Sequence, residues 1–170
     1  LLKAAIRDDD PVLFLEHKLL YRRAKEVLPE GDGVVPIGKA AVRRAGRDLT
    51  IVTYGAMVGL ALDGAAELAK EGIEAEVVDL RTLLPLDEET VLESVKRTSK
   101  ALILHEDART LGIGAEVAAT LAEKAYEWLD APVVRVTAPD TPVPFAPALE
   151  AAFLPSLSTL LSAARRLAAY

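Results

Sequence analysis

Glu74-Ala75-Glu76-Val77-Val78-Asp79-Leu80-Arg81-Thr82-Leu83-Leu84-Pro85-Leu86-Asp87 is the stretch whose reading decides the fold. It opens as an apolar strand and stops at Pro85, which has no N–H to give to a ladder. Asp87 follows as a helix N-cap, with Glu88 and Glu89 where the helix dipole favours negative charge. Upstream, Leu49-Thr50-Ile51-Val52-Thr53-Tyr54-Gly55 reads as a second strand. Between the two lies an amphipathic helix closed by Gly72, with Val58, Leu62, Ala65 and Ala69 on one face and Asp63, Glu67 and Lys70 on the other. Strand, helix, strand is a βαβ unit with a right-handed crossover. Asp79 and Arg81 stand at the end of its second strand, a placement suited to a site or an interface.

The same alternation continues outward. A helix over 88–97 buries Val91, Leu92 and Val95, and Ala101–Leu104 is a third strand. Ile113–Trp128 reads as a helix burying Ile113, Val117, Leu121 and Trp128, and Val133–Val136 as a fourth strand. Pro139, Pro142, Pro144 and Pro147 enforce an irregular segment before a last helix from Ser156, with Leu157, Leu160, Leu161, Ala164 and Leu167 inward. On the amino-terminal side, Ile37–Arg44 reads as a short strand. Residues 16–35 read as a linker broken by Pro29, Gly31 and Gly33, Val12–Leu15 as a buried strand, and residues 1–7 as the end of a helix stopped by Asp8-Asp9-Asp10-Pro11. The class is α/β: a three-layer, mostly parallel sheet with helices on both faces.

Bulk properties narrow the function. The 170 residues fit one domain with a remnant of another, and 51% apolar content suffices for a core. A net charge of −6 argues against a nucleic-acid surface, since no basic stripe displaces counterions from phosphates. Cysteine is absent, which removes disulfides, thiolate nucleophiles and thiolate zinc sites. An uncharged run such as Leu49–Leu62 falls short of the roughly 20 residues a membrane span needs, so no membrane association is expected and the expected location is the cytoplasm. Asparagine and glutamine are also absent, a depletion typical of thermophile proteins or of a reduced-alphabet design.

Four stretches invite a chemical reading, and each has a plainer one. Gly33-Val34-Val35-Pro36-Ile37-Gly38-Lys39-Ala40 nearly spells a phosphate loop. Ala40, however, stands where a hydroxyl must meet magnesium, and Pro36 deletes a backbone donor. Gly112-Ile113-Gly114 sits where a dinucleotide loop would, but Val117 replaces the third glycine, so a helix start at Thr110 or Gly112 is preferred. His105-Glu106-Asp107, at the carboxyl end of a strand, joins a base to carboxylates. With no serine or cysteine nucleophile in an elbow, a structural or interface histidine is preferred to a general base. Glu16-His17-Lys18 carries the same choice. Asp8 and Asp10 beside Pro11 offer oxygen ligands to a hard cation, or simply stop a helix. The residues thus compose an α/β domain without a self-contained active site, and no catalytic or cofactor-contacting residue is assigned.

Read together, Leu1–Asp8, Phe14-Leu15-Glu16, Lys18-Leu19-Leu20-Tyr21-Arg22, Pro36–Ala40, Asp79-Leu80-Arg81-Thr82-Leu83-Leu84-Pro85, Gly114-Ala115-Glu116-Val117, and Arg135-Val136-Thr137 with Asp140-Thr141-Pro142 resemble one family. It is the β subunit of thiamine-diphosphate-dependent 2-oxoacid dehydrogenases, the decarboxylase component of pyruvate and branched-chain complexes. The resemblance covers that subunit's second half. It implies that residues 1–15 are a remnant of a pyrimidine-binding domain, 16–35 a linker and 36–170 a transketolase-type C-terminal domain. It further implies an α2β2 assembly with an α subunit and a second β subunit, and docking of a lipoyl acyltransferase component. Thiamine diphosphate and magnesium would belong to the whole enzyme and not be held by this chain alone. A structural potassium ion of the family would match Ala5, Ile6, Asp8 and Asp10. His17 departs from the proline common in relatives. The runner-up is a stand-alone, non-catalytic assembly or regulatory domain of transketolase type.

Overall fold

The computed structural model describes residues 1–23, 25, 27 and 30–170; Pro29, read above as a linker breaker, lies outside them. In chain order the elements are α1 (Leu2–Arg7), α2 (Leu20–Arg23), β1 (Ala41–Arg44), β2 (Leu49–Thr53), α3 (Met57–Lys70), β3 (Ala75–Asp79) and α4 (Glu88–Thr98). They continue with β4 (Ala101–Ala108), α5 (Ile113–Lys124), a 3-10 turn (Tyr126–Trp128), β5 (Val134–Ala138), α6 (Pro147–Phe153) and α7 (Leu157–Ala168). The five strands form one sheet in the order β1-β3-β2-β4-β5. β3, β2, β4 and β5 run parallel, and β1 joins antiparallel against β3.

Both sheet faces are covered, so the central strands are buried on both sides: all of Leu49–Thr53 is out of solvent, its two threonines included. Leu49, Ile51, Val77, Leu102 and Leu104 meet α3 and α7, through Ala61, Leu68, Leu160 and Leu167 among others. Val52, Val78 and Ile103 meet α4 and α5, through Val91, Val95, Val117 and Leu121. The α/β three-layer class follows from those two cores. Asp87 caps α4 as its position implies, accepting from the Thr90 N–H at 3.3 Å, while Lys96 and Arg97 sit at the negative end. Ser156 caps α7 in a box closed by Thr159.

Several elements depart from the periodicity. Val12–Leu15 is no buried strand: it takes no regular structure, and Val12, Leu13 and Leu15 are exposed, because no strand among the described residues pairs with it. The strand expected over Ile37–Arg44 begins only at Ala41. The stripe α3 buries is Met57, Ala61, Gly64, Ala65 and Leu68, rotated from the face counted on large side chains. Gly64 is the reason. A Cβ there would come within 2.6 Å of Leu160 Cδ2, so α7 packs against the bare backbone of α3. The helix after β4 stops at Lys124, and Trp128 is partly exposed with the Lys96 ammonium 4.6 Å from its ring centre. In the proline-rich segment, Pro147 opens α6, where a missing N–H costs nothing.

Ahead of the sheet, α1 packs on no core. Arg7 pairs with Asp32 at 2.5 and 3.1 Å and Lys3 reaches the same carboxylate at 3.3 Å. No described helix is long and apolar enough to cross a membrane.

Candidate functional site

In an open α/β sheet the carboxyl ends of the strands hold ligands where successive connections leave on opposite faces. That switch point lies between β2 and β4, since α3 leaves β2 toward one face and α5 leaves β4 toward the other. Tyr54 follows β2 and His105 extends β4 beside it, their rings near-parallel with centroids 6.2 Å apart. β4 continues past the expected Leu104 to Ala108, and its register against β5 shifts between those residues. His105, Glu106 and Asp107 are therefore strand residues at the switch point.

His105 is 1% exposed, and neither ring nitrogen has a hydrogen-bond partner among the described residues. Burial pushes the imidazole below its ordinary pKa; the Asp107 carboxylate and, more weakly, its backbone oppose this, and the Arg135 guanidinium adds to it. The Tyr54 hydroxyl is pushed up to about 12 by burial and by the nearby charges of Asp107 and Glu106. Two neutral groups thus stand side by side, an imidazole that resists gaining a proton and a phenol that resists losing one.

Gly112 and Gly114 explain how an imidazole fits under a helix. Gly112 is the N-cap of α5 and makes no side-chain cap. A Cβ on Gly114 would lie 2.2 Å from His105 Nε2, and one on Gly112 3.0 Å from His105 Cε1. The glycines serve close packing on a histidine, which is the helix-start reading in a more specific form. Above them, the Thr110 N–H and hydroxyl both donate to Asp140, at 2.8 and 2.7 Å. Arg109 and Arg135 each donate to the other's backbone carbonyl, at 3.2 and 2.9 Å.

The other candidates scatter around this edge. His17 Nε2 lies 3.0 Å from Glu106 Oε1, fastening the amino-terminal segment to the end of β4. Asp79 accepts the Arg81 N–H at 3.2 Å, and burial raises the Asp79 carboxyl against the pull of that bond and of Arg43 and Arg81. Arg81 itself takes a left-handed φ of 59°. The Gly33–Ala40 turn packs on the loop after β3. Its Gly38 N–H goes to Thr82 Oγ1 at 3.1 Å and the Ala40 N–H to Asp87 at 2.9 Å, so these donors are spent. Ala5 and Ile6 sit in the last turn of α1, where carbonyls lack helical partners, and Asp8 turns back to accept the Asp10 N–H at 3.0 Å. Sequence reasoning passed over Tyr54, the Thr110–Asp140 pair and the clip from Asp87 to Ala40. Only Asp140-Thr141-Pro142 carried a signal, as a motif without a mechanism.

The C-terminal sheet edge also exposes bulky apolar residues, one loop after another. Leu84 after β3, Leu111 after β4 and Phe145 after β5 are almost wholly in solvent, and Val143 mostly so. Such a crown is a surface built to be covered.

Residues 38–160 match the family model described as "Transketolase, C-terminal domain". The chain is 51% identical to the β subunit of acetoin:2,6-dichlorophenolindophenol oxidoreductase of Cupriavidus necator, covering 98% of this chain and 49% of that protein. It is 49% identical to the pyruvate dehydrogenase E1 component β subunit of Bacillus subtilis (98% of this chain, 51% of that one). With the 2-oxoisovalerate dehydrogenase β subunit of the same organism it shares 48% identity (100% and 52%). A solved structure described as a split-gene transketolase, in an inactive β4 tetramer, superposes with a TM-score of 0.72 at 32% identity, covering 85% of this chain and 46% of that one. The chain spans about half the length of the curated relatives it matches.

Proposed function

This chain belongs to the transketolase C-terminal domain family, and on that premise we propose that it is the C-terminal portion of the β subunit of a 2-oxoacid dehydrogenase decarboxylase component. The relatives that match nearly all of it are β subunits of oxidoreductases. The whole enzyme removes carbon dioxide from a 2-oxoacid on thiamine diphosphate and passes the acyl group to a lipoyl arm. This portion braces the assembly, packing against a second β subunit and an α subunit in an α2β2 arrangement and helping to dock the lipoyl acyltransferase.

The carrying observation is the set of exposed apolar side chains on the C-terminal sheet edge, together with Ile6, Leu13 and Leu15 of the amino-terminal segment. The relatives named for acetoin, pyruvate and 2-oxoisovalerate match this chain almost equally well, which suits a part that does not choose the substrate. Thiamine diphosphate and magnesium do not fit this chain's own groups. The one phosphate-loop look-alike has its Gly38 and Ala40 N–H groups committed, and among the described residues no three His, Asp or Glu side chains group at metal distance. The Ala5 and Ile6 carbonyls with the Asp8 and Asp10 carboxylates are oxygen donors of the kind potassium takes, and we assign the family's structural cation to them.

The experiment mixes the purified 170-residue chain with thiamine diphosphate, magnesium and either pyruvate or 3-methyl-2-oxobutanoate. No carbon dioxide release and no calorimetric signal for the cofactor are expected. Co-expression with the rest of a β subunit and an α subunit should give an assembly with the mass of an α2β2 tetramer by light scattering, and decarboxylation. Turnover by the chain alone, or failure to enter any tetramer, overturns the proposal.

A further inference from the structure

We propose that residues 109–114 form a latched cap over His105, able to lift as a unit and open the β2–β4 switch point to solvent. Three features of the closed cap work against it. Beneath it neither nitrogen of the buried imidazole makes a well-formed hydrogen bond among the described residues. On top, Leu111 is 94% exposed, so its side chain gains nothing from the fold. Leu111 also holds a left-handed φ of 61°, a conformation a leucine adopts at a cost. What keeps the cap down is a set of exposed hydrogen bonds: Thr110 to Asp140, twice, and the Arg109–Arg135 exchange. Its ends are suited to movement. β4 finishes at Ala108, and Gly112 and Gly114 begin the next helix.

Lifting is coupled to a proton. The charged and titratable groups facing His105 are Asp107 from its own strand, Arg135 from β5 and Tyr54 just after β2, while the backbone of Gly112 and Gly114 closes over it at the start of α5. Burial holds the ring neutral while the cap is closed. The open state lets it regain an ordinary affinity for protons, so acid favours opening as pH falls through the usual histidine range. Asp140 stays ionised over that window, because the Thr110 hydroxyl and N–H hold its carboxyl below the usual range.

Diethyl pyrocarbonate, which acylates neutral imidazole, provides the test on the full chain at pH 7. His17 should react at least about tenfold faster than His105. Asp140→Ala should speed His105 modification about tenfold by removing both Thr110–Asp140 bonds, with amide exchange at Val52 and Val78 unchanged. Thr110→Val, which removes one bond, should speed it several-fold and serves if Asp140→Ala does not fold. Between pH 7 and 5.5, exchange at the Thr110 and Ala115 amides, corrected for intrinsic rates, should rise by up to about tenfold in total in the parent and not in His105→Leu. Unchanged His105 reactivity in the latch variants, or acid-driven opening that survives His105→Leu, overturns the cap.

Discussion

The segment before residue 37 and the sheet after it hold similar apolar side chains and treat them in opposite ways. Leu49, Ile51, Leu68, Leu102 and Leu104 are fully buried, whereas Ile6, Leu13 and Leu15 stand mostly in solvent. Side-chain chemistry does not separate the two sets. The difference is partners: β2 and β4 each have a strand on both sides and a helix on each face, whereas Val12–Leu15 has neither. Hydrophobicity supplies a reason to be covered, and topology decides whether something in the same chain can do the covering.

Truncating one leucine in each region is the sharpest way to break this contrast. Leu102→Ala removes a side chain wedged between β2, β5 and the α3–α7 layer, and should cost about 2–5 kcal/mol in urea unfolding. Leu13→Ala removes one that touches mainly water, and should move stability by less than about 0.5 kcal/mol. Comparable losses from the two would mean that the segment is packed and the contrast false.

Much of the second region was readable from its sequence because its signals agree. The βαβ unit, the Asp87 cap and the Ser156 start each have local propensity, hydrophobic period and capping chemistry pointing one way. The first region misled because an unbroken apolar run such as Val12–Leu15 records only that two faces want cover. α3 misled more subtly, since the residue that sets its packing face, Gly64, has no side chain to count. At the candidate site the sequence placed His105 on the correct sheet edge. It could not show that Tyr54 would lie beside it or that Asp140 would reach Thr110, because strand order and loop closure are made by contacts distant in the chain.

Two aspartates sharpen the contrast at smaller cost. Asp87 is buried and, besides capping α4, accepts the Thr90 hydroxyl at 2.8 Å and the Ala40 N–H at 2.9 Å, so it ties the chain entering β1 to the sheet. Asp87→Ala should lose about 2 kcal/mol at pH 7. Burial alone would raise this carboxyl, but the bonds from Ala40 and Thr90 and the charge of Lys39 hold it below its usual value. A depressed carboxylate stabilises the fold at pH values above its unfolded pKa, and that contribution fades as pH falls through the folded one. The gap between parent and variant, measured by urea unfolding, should therefore be full at pH 7 and close in the acid range. A gap that stays constant into that range would mean that packing, not charge, is what Asp87 supplies.

Asp32 is the counterpart in the first region, and the effect expected there is the smallest. It gathers Arg7 and Lys3 onto one exposed carboxylate, and those bonds hold its pKa below the usual range. Exposed pairs of this kind are screened by salt and add little to global stability. Asp32→Asn should therefore leave the urea midpoint in place. It should, however, release α1 from its one described anchor, and trypsin should cut faster after Arg7, Lys18 and Arg22. Raising the salt concentration should reproduce that faster cutting in the parent and add nothing in the variant, because the same charges are silenced twice. Were the midpoint to fall along with the faster cutting, the segment and the sheet would unfold as one unit, and their apolar residues would share one fate after all.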